Sequence, residues 1–244
     1  MHNTPISIVI PMYNEADNVA PFIHEIYDVL VDRVQQFEIV VVDDGSSDDT
    51  VQQLKQLQAQ VPMLRVLQHD GNFGQSAATV SGIRAAKYPW IVTMDGDAQN
   101  DPHDIPALLK ELESLPELSE VLLIAGNRAK RHDNFLRKLS SRVGNGVRNF
   151  VLHDDCMDTG CSLKLFSRDV FLKMPHFNHL HRFIPSLIKR ANGRIINVDV
   201  NHRPRTRGTS KYGVMNRLWV GIVDLFGVKW LMNRPCNPRV LSQD

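Results

Sequence analysis

Cysteine is scarce in this sequence, and the other marks of a secreted protein are missing as well. The 244 residues contain three cysteines, Cys156, Cys161 and Cys236, an odd number without the paired spacing of a zinc site. The amino terminus, MHNTPISIVIPMYNE, lacks the basic and apolar stretches of a cleavable signal segment. A disulfide framework and a structural zinc site are therefore not expected. We expect a protein of the reducing cytoplasm.

Long uninterrupted apolar runs are also absent. The most apolar stretch, Val214 to Pro235, is a poor transmembrane span because charged residues interrupt it at Arg217, Asp224 and Lys229. Its aromatic residues are Trp219, Phe226 and Trp230. This pattern suits a helix lying in a membrane interface, or equally a helix packed against its own domain or a partner chain. We treat residues 214–244 as an amphipathic segment that follows a domain of residues 1–213.

The net charge of +1 hides an uneven distribution along the chain. Residues 1–181 hold 16 Lys and Arg against 24 Asp and Glu, whereas residues 182–239 hold 12 against 2. So basic a segment predicts an anionic partner such as phosphates or a membrane surface, with a solvated face as the alternative. A nucleic-acid partner is not expected because the segment has no helix-turn-helix or RNA-binding signature.

Short apolar runs alternate with stretches of helical spacing. The runs are ISIVI (6–10), FEIVVV (37–42), LRVL (64–67), WIVTM (90–94) and VLLIAG (121–126). Strands that are apolar on both faces and alternate with helices predict an α/β fold with a Rossmann-like, mostly parallel central sheet flanked by helices. After about residue 149 the pattern becomes mixed, without a linker, so we expect a mixed C-terminal half of the same domain.

In such sheets the ligand crevice lies beyond the carboxyl ends of the strands. After the first run, Tyr13 offers a ring face or hydroxyl, and Asn14 and Glu15 offer groups that bond a ribose or base edge. Asn14 could instead cap the next helix. Asp43 closes the second run and is a better ligand candidate than the Ser46–Asp48 segment, whose residues are typical of helix starts.

The fourth run is followed by DGDAQND (95–101). Asp95 and Asp97 are one residue apart, so their side chains would lie on one side of an extended backbone, and Gly96 allows a tight turn. Together with the amide oxygen of Gln99 they are hard oxygen ligands suited to Mg²⁺ or Mn²⁺ with open positions for phosphate. Asp101 is instead predicted to start a helix over residues 104–114.

Two other interpretations of this segment compete. A calcium loop of the EF-hand type beginning at Asp95 requires glycine and glutamate where Asn100 and Pro106 stand, so it is excluded. A phosphatase of the haloacid-dehalogenase type would carry its Asp-x-Asp after the first strand, with Thr or Val at the position of Gln99. The magnesium or manganese site is therefore preferred.

Taken together, the motifs resemble those of inverting family 2 glycosyltransferases with a GT-A fold, the group that contains dolichol-phosphate mannosyltransferase and bacterial polyprenyl-phosphate glycosyltransferases. The similarity extends over most of the chain: IVIPMYNEADN, EIVVVDDGSSDDT, NFGQSAATVSGIRAA, VTMDGDAQNDP, GNR, DTGCSLKLF, HRFIP and RTRGTSKYG. The resemblance implies that the nucleoside is held by Pro11, Tyr13, Glu15 and Asp43. It also implies that Asp95, Asp97 and Gln99, with Gly96 between the acids, hold the metal and the donor diphosphate.

The resemblance gives the basic residues a specific role. Arg205, Arg207 and Lys211 lie in a glycine-containing loop that would fold over the diphosphate, and Arg128 would join them. Guanidinium groups pair with phosphate oxygens and offset the charge that accumulates as the nucleoside diphosphate leaves. Any one of these arginines could instead be a surface residue.

A lipid phosphate acceptor is already anionic, so it attacks without a strongly activated general base. Asp158 is the candidate carboxylate on the acceptor side, as a base, an orienting group or a local cap. His181 and Arg182 are candidate contacts to the acceptor phosphate, and Asp97, Asp158 and Arg182 form the expected catalytic set. The sequence departs from the family pattern at Gln75, where many relatives carry a basic residue.

The expected function is metal-dependent transfer of a hexose from a nucleotide diphosphate sugar, GDP-mannose or a UDP-sugar, to dolichyl or undecaprenyl phosphate. The alternatives are transfer to a saccharide hydroxyl of lipopolysaccharide or capsule, and a non-catalytic sugar-nucleotide-binding module. Many bacterial relatives continue into two or more membrane spans, whereas one interrupted apolar segment follows here. We therefore expect peripheral attachment to the inner face of the cell membrane, directly or through a separate membrane protein.

Overall fold

A computed structural model describes residues 1–116, 121–128, 146, 148–204 and 214–234. Its strands are β1 Ile6–Met12, β2 Phe37–Asp43, β3 Leu64–Gln68, β4 Trp90–Thr93, β5 Leu122–Asn127, β6 Lys164–Ser167 and β7 Arg194–Asp199. Its α-helices are α1 Ala16–Leu30, α2 Thr50–Leu57, α3 Gln75–Ala85, α4 Ile105–Glu113, α5 Arg168–Leu172, α6 Ile184–Arg190 and α7 Val214–Met232. Residues 148–152 form a further helical segment.

The strands form one sheet in the order β3-β2-β1-β4-β6-β5-β7. β1 pairs in parallel with β2 and β4, so that Ile8 lies opposite Ile39 on one side and Val92 on the other. β6 is antiparallel to both of its neighbours, whereas β5 and β7 are parallel to each other. The predicted mostly parallel sheet and mixed C-terminal half are confirmed.

Helices cover both faces of the sheet because the central strands are apolar on both sides. Along β1, Ile8 and Ile10 point into a core shared with Phe22 of α1, and Val9 points into a second core shared with Ile83 of α3. α3 lies unusually close to the sheet, since a Cβ added at Gly82 would lie 2.5 Å from Val9 Cγ1. Because α3 directly follows β3, its amino end lies at the carboxyl ends of the parallel strands.

The predicted elements are found with small shifts. β1 continues to Met12, so Pro11 lies within the strand, and β5 begins one residue later than predicted. The helix expected over residues 104–114 is α4, preceded by a 3₁₀ turn over Pro102–Asp104. Asp101 caps that turn, because its side chain accepts a hydrogen bond from the His103 N–H at 3.0 Å.

α7 packs one face against the domain. Val228 is buried in a small cluster with Leu152 and Phe183, and the His179 ring pairs with Asp224 at 2.9 Å. Among the described helices, none is long and apolar enough to cross a membrane. The division of the chain between residues 213 and 214 stays a prediction.

Candidate active site

The acidic segment lies at the end of β4, but not as a continuation of the strand. The chain turns at Gly96 and Asp97, and Ala98 has a left-handed φ of 58°. The expectation that Asp95 and Asp97 share one side of an extended backbone is therefore wrong. The turn nevertheless keeps the two carboxylates close enough for Asp97 to raise the pKa of Asp95.

The chain turns at Gly96 as expected, and the structure gives a steric reason for glycine at this position. Its φ is not positive; instead, a Cβ at this position would lie 2.7 Å from Met12 Cγ and 3.0 Å from the Pro11 carbonyl oxygen. The turn is thus pressed against the end of β1. This contact fixes the acidic segment next to the strand that carries the predicted nucleoside residues.

Burial is the largest cause of the raised pKa of Asp95, which reaches about 6, and the charge of Asp97 adds to it. The Ser162 hydroxyl and the nearby charges of Lys164 and Arg128 act in the opposite direction without restoring the ordinary pKa. Two crowded carboxylates of this kind are stabilised by a cation. With the Gln99 amide, their oxygens fit Mg²⁺ or Mn²⁺.

Gln75 is the first residue of α3, and its Nε2 donates to Asp95 Oδ1 at 2.6 Å. The contact is neutral, at the position where we expected a departure from the family pattern. On the other side, Ser162 Oγ donates to Asn100 Oδ1 at 2.6 Å, and that oxygen also accepts from the Asp95 N–H at 3.2 Å. Asp95 is therefore held from α3 and from the segment before β6.

The loops after β1 and β2 are tied to each other. Asn14 adopts a left-handed φ of 51°, donates its N–H to Ser46 Oγ at 2.8 Å and accepts from the Ser47 N–H at 2.7 Å. The Glu15 N–H donates to Thr50 Oγ1 at 2.9 Å. The N-cap position of α1 is Glu15, so the alternative role of Asn14 as a helix cap is wrong. Asn14 instead organises the expected nucleoside-binding edge.

Asp43 ends β2 and is fully buried. Its Oδ2 accepts from the Ser46 N–H at 3.1 Å, but Oδ1 has no hydrogen-bond partner among the described residues. A buried acceptor without a donor is costly, so this oxygen is suited to a donor that arrives with a ligand. Asp48 accepts from the Thr50 N–H at 3.1 Å, which confirms its predicted role at a helix start.

Asp44 was missed by the sequence interpretation. It is buried, and its carboxylate accepts hydrogen bonds from His69 Nδ1 at 2.7 Å, the Phe73 N–H at 3.0 Å and the Gly74 N–H at 2.7 Å. These bonds fix the turn that begins α3. The sequence signal that could have identified Asp44 is the acidic pair at residues 43–44, because its second acid directly follows a buried strand.

The structure joins two residues that the sequence assigned to different substrates. Arg128 donates to Asp158 twice, from Nε at 2.7 Å and from a terminal nitrogen at 3.0 Å, and both side chains are largely buried. Gly160 makes room for this pair, since a Cβ there would lie 2.9 Å from the guanidinium. A carboxylate held in a bidentate ion pair is a weak proton acceptor.

A cleft of about 310 Å³, which we call the polar cleft, opens beside Asp95. Its lining includes Pro11, Gln75, Asp95, Lys164, His181 and Arg182. Lys164 was not predicted: it is buried on β6 and donates to the backbone carbonyls of Thr159 and Cys161. His181 and Arg182, the predicted contacts to the acceptor phosphate, line the same cleft as Asp95, and their role stays a prediction.

Arg203 anchors the chain that leads to the predicted diphosphate loop. Its guanidinium pairs with Glu25 and Asp101, each at 2.7 Å, and its backbone N–H donates to the Gln99 carbonyl at 3.0 Å. Glu25, Asp101 and His103 form a second cluster in which a metal could fit. The guanidinium of Arg203 already provides positive charge to this cluster. Arg205, Arg207 and Lys211 lie outside the described residues.

A model of glycosyl transferase family 2 matches residues 7–174. The dodecaprenyl-phosphate galacturonate synthase of Rhizobium johnstonii is 36% identical over 96% of this chain and 69% of its own length. The undecaprenyl-phosphate 4-deoxy-4-formamido-L-arabinose transferase of Edwardsiella ictaluri is 33% identical over 86% of this chain and 63% of its own length. The chain therefore spans about two thirds of these relatives.

Solved structures show the same fold at low sequence identity. A Pyrobaculum calidifontis mannosyltransferase in complex with GDP-Man and Mn²⁺ has a TM-score of 0.67 and 18% identity, over 98% of this chain and 67% of its own. The Mycobacterium tuberculosis glucosyl-3-phosphoglycerate synthase with Mn²⁺, UDP and phosphoglyceric acid has a TM-score of 0.67 and 17% identity, over 94% and 78%. The sheet and its flanking helices are those of a GT-A glycosyltransferase.

Proposed function

The chain belongs to glycosyl transferase family 2 and is a glycosyltransferase, and on that premise we propose that it transfers a sugar from a nucleotide diphosphate sugar to a polyprenyl phosphate with inversion at the anomeric carbon. The ion pair between Arg128 and Asp158 is the observation that favours this acceptor. A hydroxyl acceptor requires a general base, and the carboxylate assigned to that role is occupied by a guanidinium. A phosphate acceptor is already ionised and needs only alignment.

The relatives' names support the same acceptor class, because both are transferases of polyprenyl phosphates. Saccharide hydroxyls of lipopolysaccharide or capsule remain the second candidate. The complete Asp95, Asp97 and Gln99 set argues against a non-catalytic binding module, since a module without turnover does not need a polarised leaving group.

The donor nucleoside is assigned to the edge formed by Pro11, Tyr13, Asn14, Glu15 and Asp43. Support comes from Asp43 Oδ1, which has no hydrogen-bond donor among the described residues. A ring N–H of uracil or guanine would supply that donor. UDP-sugars and GDP-mannose are therefore both candidate donors. The sugars in the relatives' names, galacturonate and 4-deoxy-4-formamido-L-arabinose, extend the candidate set beyond neutral hexoses.

Mg²⁺ or Mn²⁺ at Asp95, Asp97 and Gln99 would neutralise charge on the departing nucleoside diphosphate. The residues of the chain orient the reactants around it. Gln75 and Asn100 fix Asp95, and Arg182 and Lys164 supply positive charge at the polar cleft. Arg205, Arg207 and Lys211 are proposed to bind the diphosphate oxygens, and Arg128 the phosphate of donor or acceptor.

Membrane association is proposed to be peripheral and on the cytoplasmic side. The outer face of α7 exposes Val223, Phe226 and Trp230, and the Arg234 guanidinium lies 5.2 Å from the Trp230 ring centre. Aromatic side chains next to a cation are suited to the headgroup region of a bilayer. A separate membrane protein that covers the same face is the alternative.

Purified protein incubated with Mg²⁺ or Mn²⁺, a panel of UDP- and GDP-sugars and a short polyprenyl phosphate tests the proposal. Release of nucleoside diphosphate that requires the lipid phosphate, and not the matching polyprenol, is the expected result. Release with a saccharide or polyprenol acceptor would favour the second candidate. Nucleotide-sugar binding without release under any condition would contradict an enzymatic role, with Asp97→Asn as the inactive control.

A further inference from the structure

The polar cleft has room for a sugar and lies beside the predicted metal and diphosphate site. Its volume of about 310 Å³ is at the low end of the roughly 300–1,000 Å³ of ligand sites. Its lining includes Pro11 of the nucleoside edge and Asp95 of the metal and diphosphate site, whereas Tyr13, Asn14, Glu15 and Asp43 do not contribute to its described lining. We therefore take the cleft as the site for the part of the donor beyond the diphosphate.

His181 contributes one wall of the cleft, and Ser76 of α3 holds its ring. Ser76 Oγ lies 2.8 Å from His181 Nδ1 and also accepts from the His181 backbone N–H at 3.4 Å. Ser76 is buried, so its hydroxyl proton needs an acceptor, and Nδ1 is the acceptor at hand. The ring proton therefore resides on Nε2.

The ring is neutral at physiological pH. Burial is the main reason why the pKa of His181 falls to about 3, and the nearby charges of Arg182, Lys164 and His179 lower it further. A neutral imidazole with Nδ1 occupied presents a single donor, Nε2–H. In the part of the chain that the structure describes, no residue accepts from this nitrogen. A neutral donor of this kind can serve a sugar oxygen as well as the predicted acceptor phosphate.

We infer that His181, held by Ser76, is a specificity-determining residue that donates a hydrogen bond from Nε2 to an oxygen of the transferred sugar. The inference rests on the proposed function, because it takes the polar cleft as the sugar site. Gln75 and Ser76 are consecutive at the start of α3, and they contact Asp95 and His181 respectively. One helix end thus aligns the metal ligand and the sugar contact.

The test compares two replacements of the same residue. Gln places its amide nitrogen near the former Nε2, whereas Asn is shorter and places its nitrogen near the former Nδ1. For each variant, calorimetry measures the dissociation constant of the nucleotide sugar and of the matching nucleoside diphosphate. The dissociation constant of the nucleoside diphosphate divided by that of the nucleotide sugar isolates the contribution of the sugar, and this ratio does not depend on any transferase activity.

His181→Asn is expected to reduce that ratio about 3- to 10-fold, which corresponds to one neutral hydrogen bond. His181→Gln should retain most of it, and Ser76→Ala should shift it in the same direction as His181→Asn. The affinity for the nucleoside diphosphate alone should stay unchanged in all three. Where turnover is measured, the KM for polyprenyl phosphate should also stay the same.

An unchanged ratio in His181→Asn would overturn the inference, as would a rise in the KM for polyprenyl phosphate with the ratio intact. Equal losses for nucleotide sugar and nucleoside diphosphate would show a general structural defect and would also overturn it. Failure of the wild-type protein to transfer sugar to any lipid phosphate would count against the proposed function alone, since the binding ratio is measured without an acceptor.

Discussion

The side-chain amide of Gln75 donates a hydrogen bond to the carboxylate of Asp95 at 2.6 Å. The contact links the start of α3 to the first acid of the DGD segment, across a separation of 20 residues. Because the amide is neutral, it orients Asp95 without offsetting the repulsion from Asp97. Lys164 and Arg128 offset part of the charge of the acid pair, and a bound cation would compensate the rest.

The first prediction concerns this uncompensated charge in metal-free protein. The pKa of Asp95 is raised to about 6, so the native state binds more protons than the unfolded state between about pH 4 and pH 6. The stabilising effect of the protonated group is therefore present at low pH and lost as pH rises through about 6. The loss is at most about 3 kcal/mol.

Asp95→Asn removes that titration. We expect the metal-free variant to gain stability relative to the wild type as pH rises from 4 to 7, as measured by urea unfolding with a chelator present. Adding Mg²⁺ or Mn²⁺ at pH 7 should stabilise the wild type and not the variant. Parallel pH profiles for the two proteins would contradict the expected burial and repulsion at Asp95.

The second prediction separates the two acidic clusters. Asp97→Asn should weaken Mn²⁺ binding and reduce transfer on the order of 100-fold, because it removes a proposed ligand. Asp101→Asn keeps the cap of the 3₁₀ turn and loses the ion pair with Arg203, so it should leave Mn²⁺ affinity unchanged. Titration with Mn²⁺ followed by electron paramagnetic resonance measures both. The reverse pattern would place the metal at Glu25, Asp101 and His103.

The third prediction concerns the unpaired oxygen of Asp43. In Asp43→Asn, the amide oxygen must keep accepting from the Ser46 N–H, which turns the NH₂ group toward the base. Two donors would then face each other, and we expect UDP or GDP to bind about tenfold more weakly. Calorimetry measures this loss, and Asp49→Asn on the exposed side of the same loop is the control. Unchanged affinity would show that the nucleobase does not contact Asp43.

The fourth prediction follows from the Arg128–Asp158 pair. If Asp158 orients Arg128, Asp158→Asn should lower kcat/KM with polyprenyl phosphate by less than about tenfold and keep the shape of the pH profile. A general base would instead contribute about 10²- to 10⁴-fold and would define the acidic limb of that profile. Initial rates between pH 5.5 and 9 distinguish the two. A loss of about 10²-fold or more in kcat/KM would instead indicate that Asp158 acts as the general base.

The fifth prediction tests the exposed face of α7. Replacing Phe226 and Trp230 by serine should reduce flotation with vesicles that contain anionic lipid, because both side chains are more than half exposed. Val31→Ser, a comparable change at a partly exposed position at the end of α1, should have no effect. Equal flotation of all three proteins would favour attachment through a membrane partner or no attachment.

The pattern of residues along the chain predicted the strands, and with them the edge of the sheet where the candidate site residues lie. Runs such as FEIVVV become strands because their side chains are apolar on both faces, and a sheet covered on both sides is the arrangement that buries them. The chemistry at the strand ends, from PMYNE to DGDAQ, could be located for the same reason. Parallel strands gather their carboxyl ends at one edge.

The sequence by itself therefore determined the layered fold and the composition of the acidic segment, since both depend on local periodicity and residue type. The tertiary structure alone decided which side chains meet: Arg128 with Asp158, and Ser76 with His181. These partners lie 30 and 105 residues apart. Their contacts depend on how helices and loops pack against the sheet, and that geometry pairs the candidate carboxylate Asp158 with a guanidinium and ties the ring of His181 to α3.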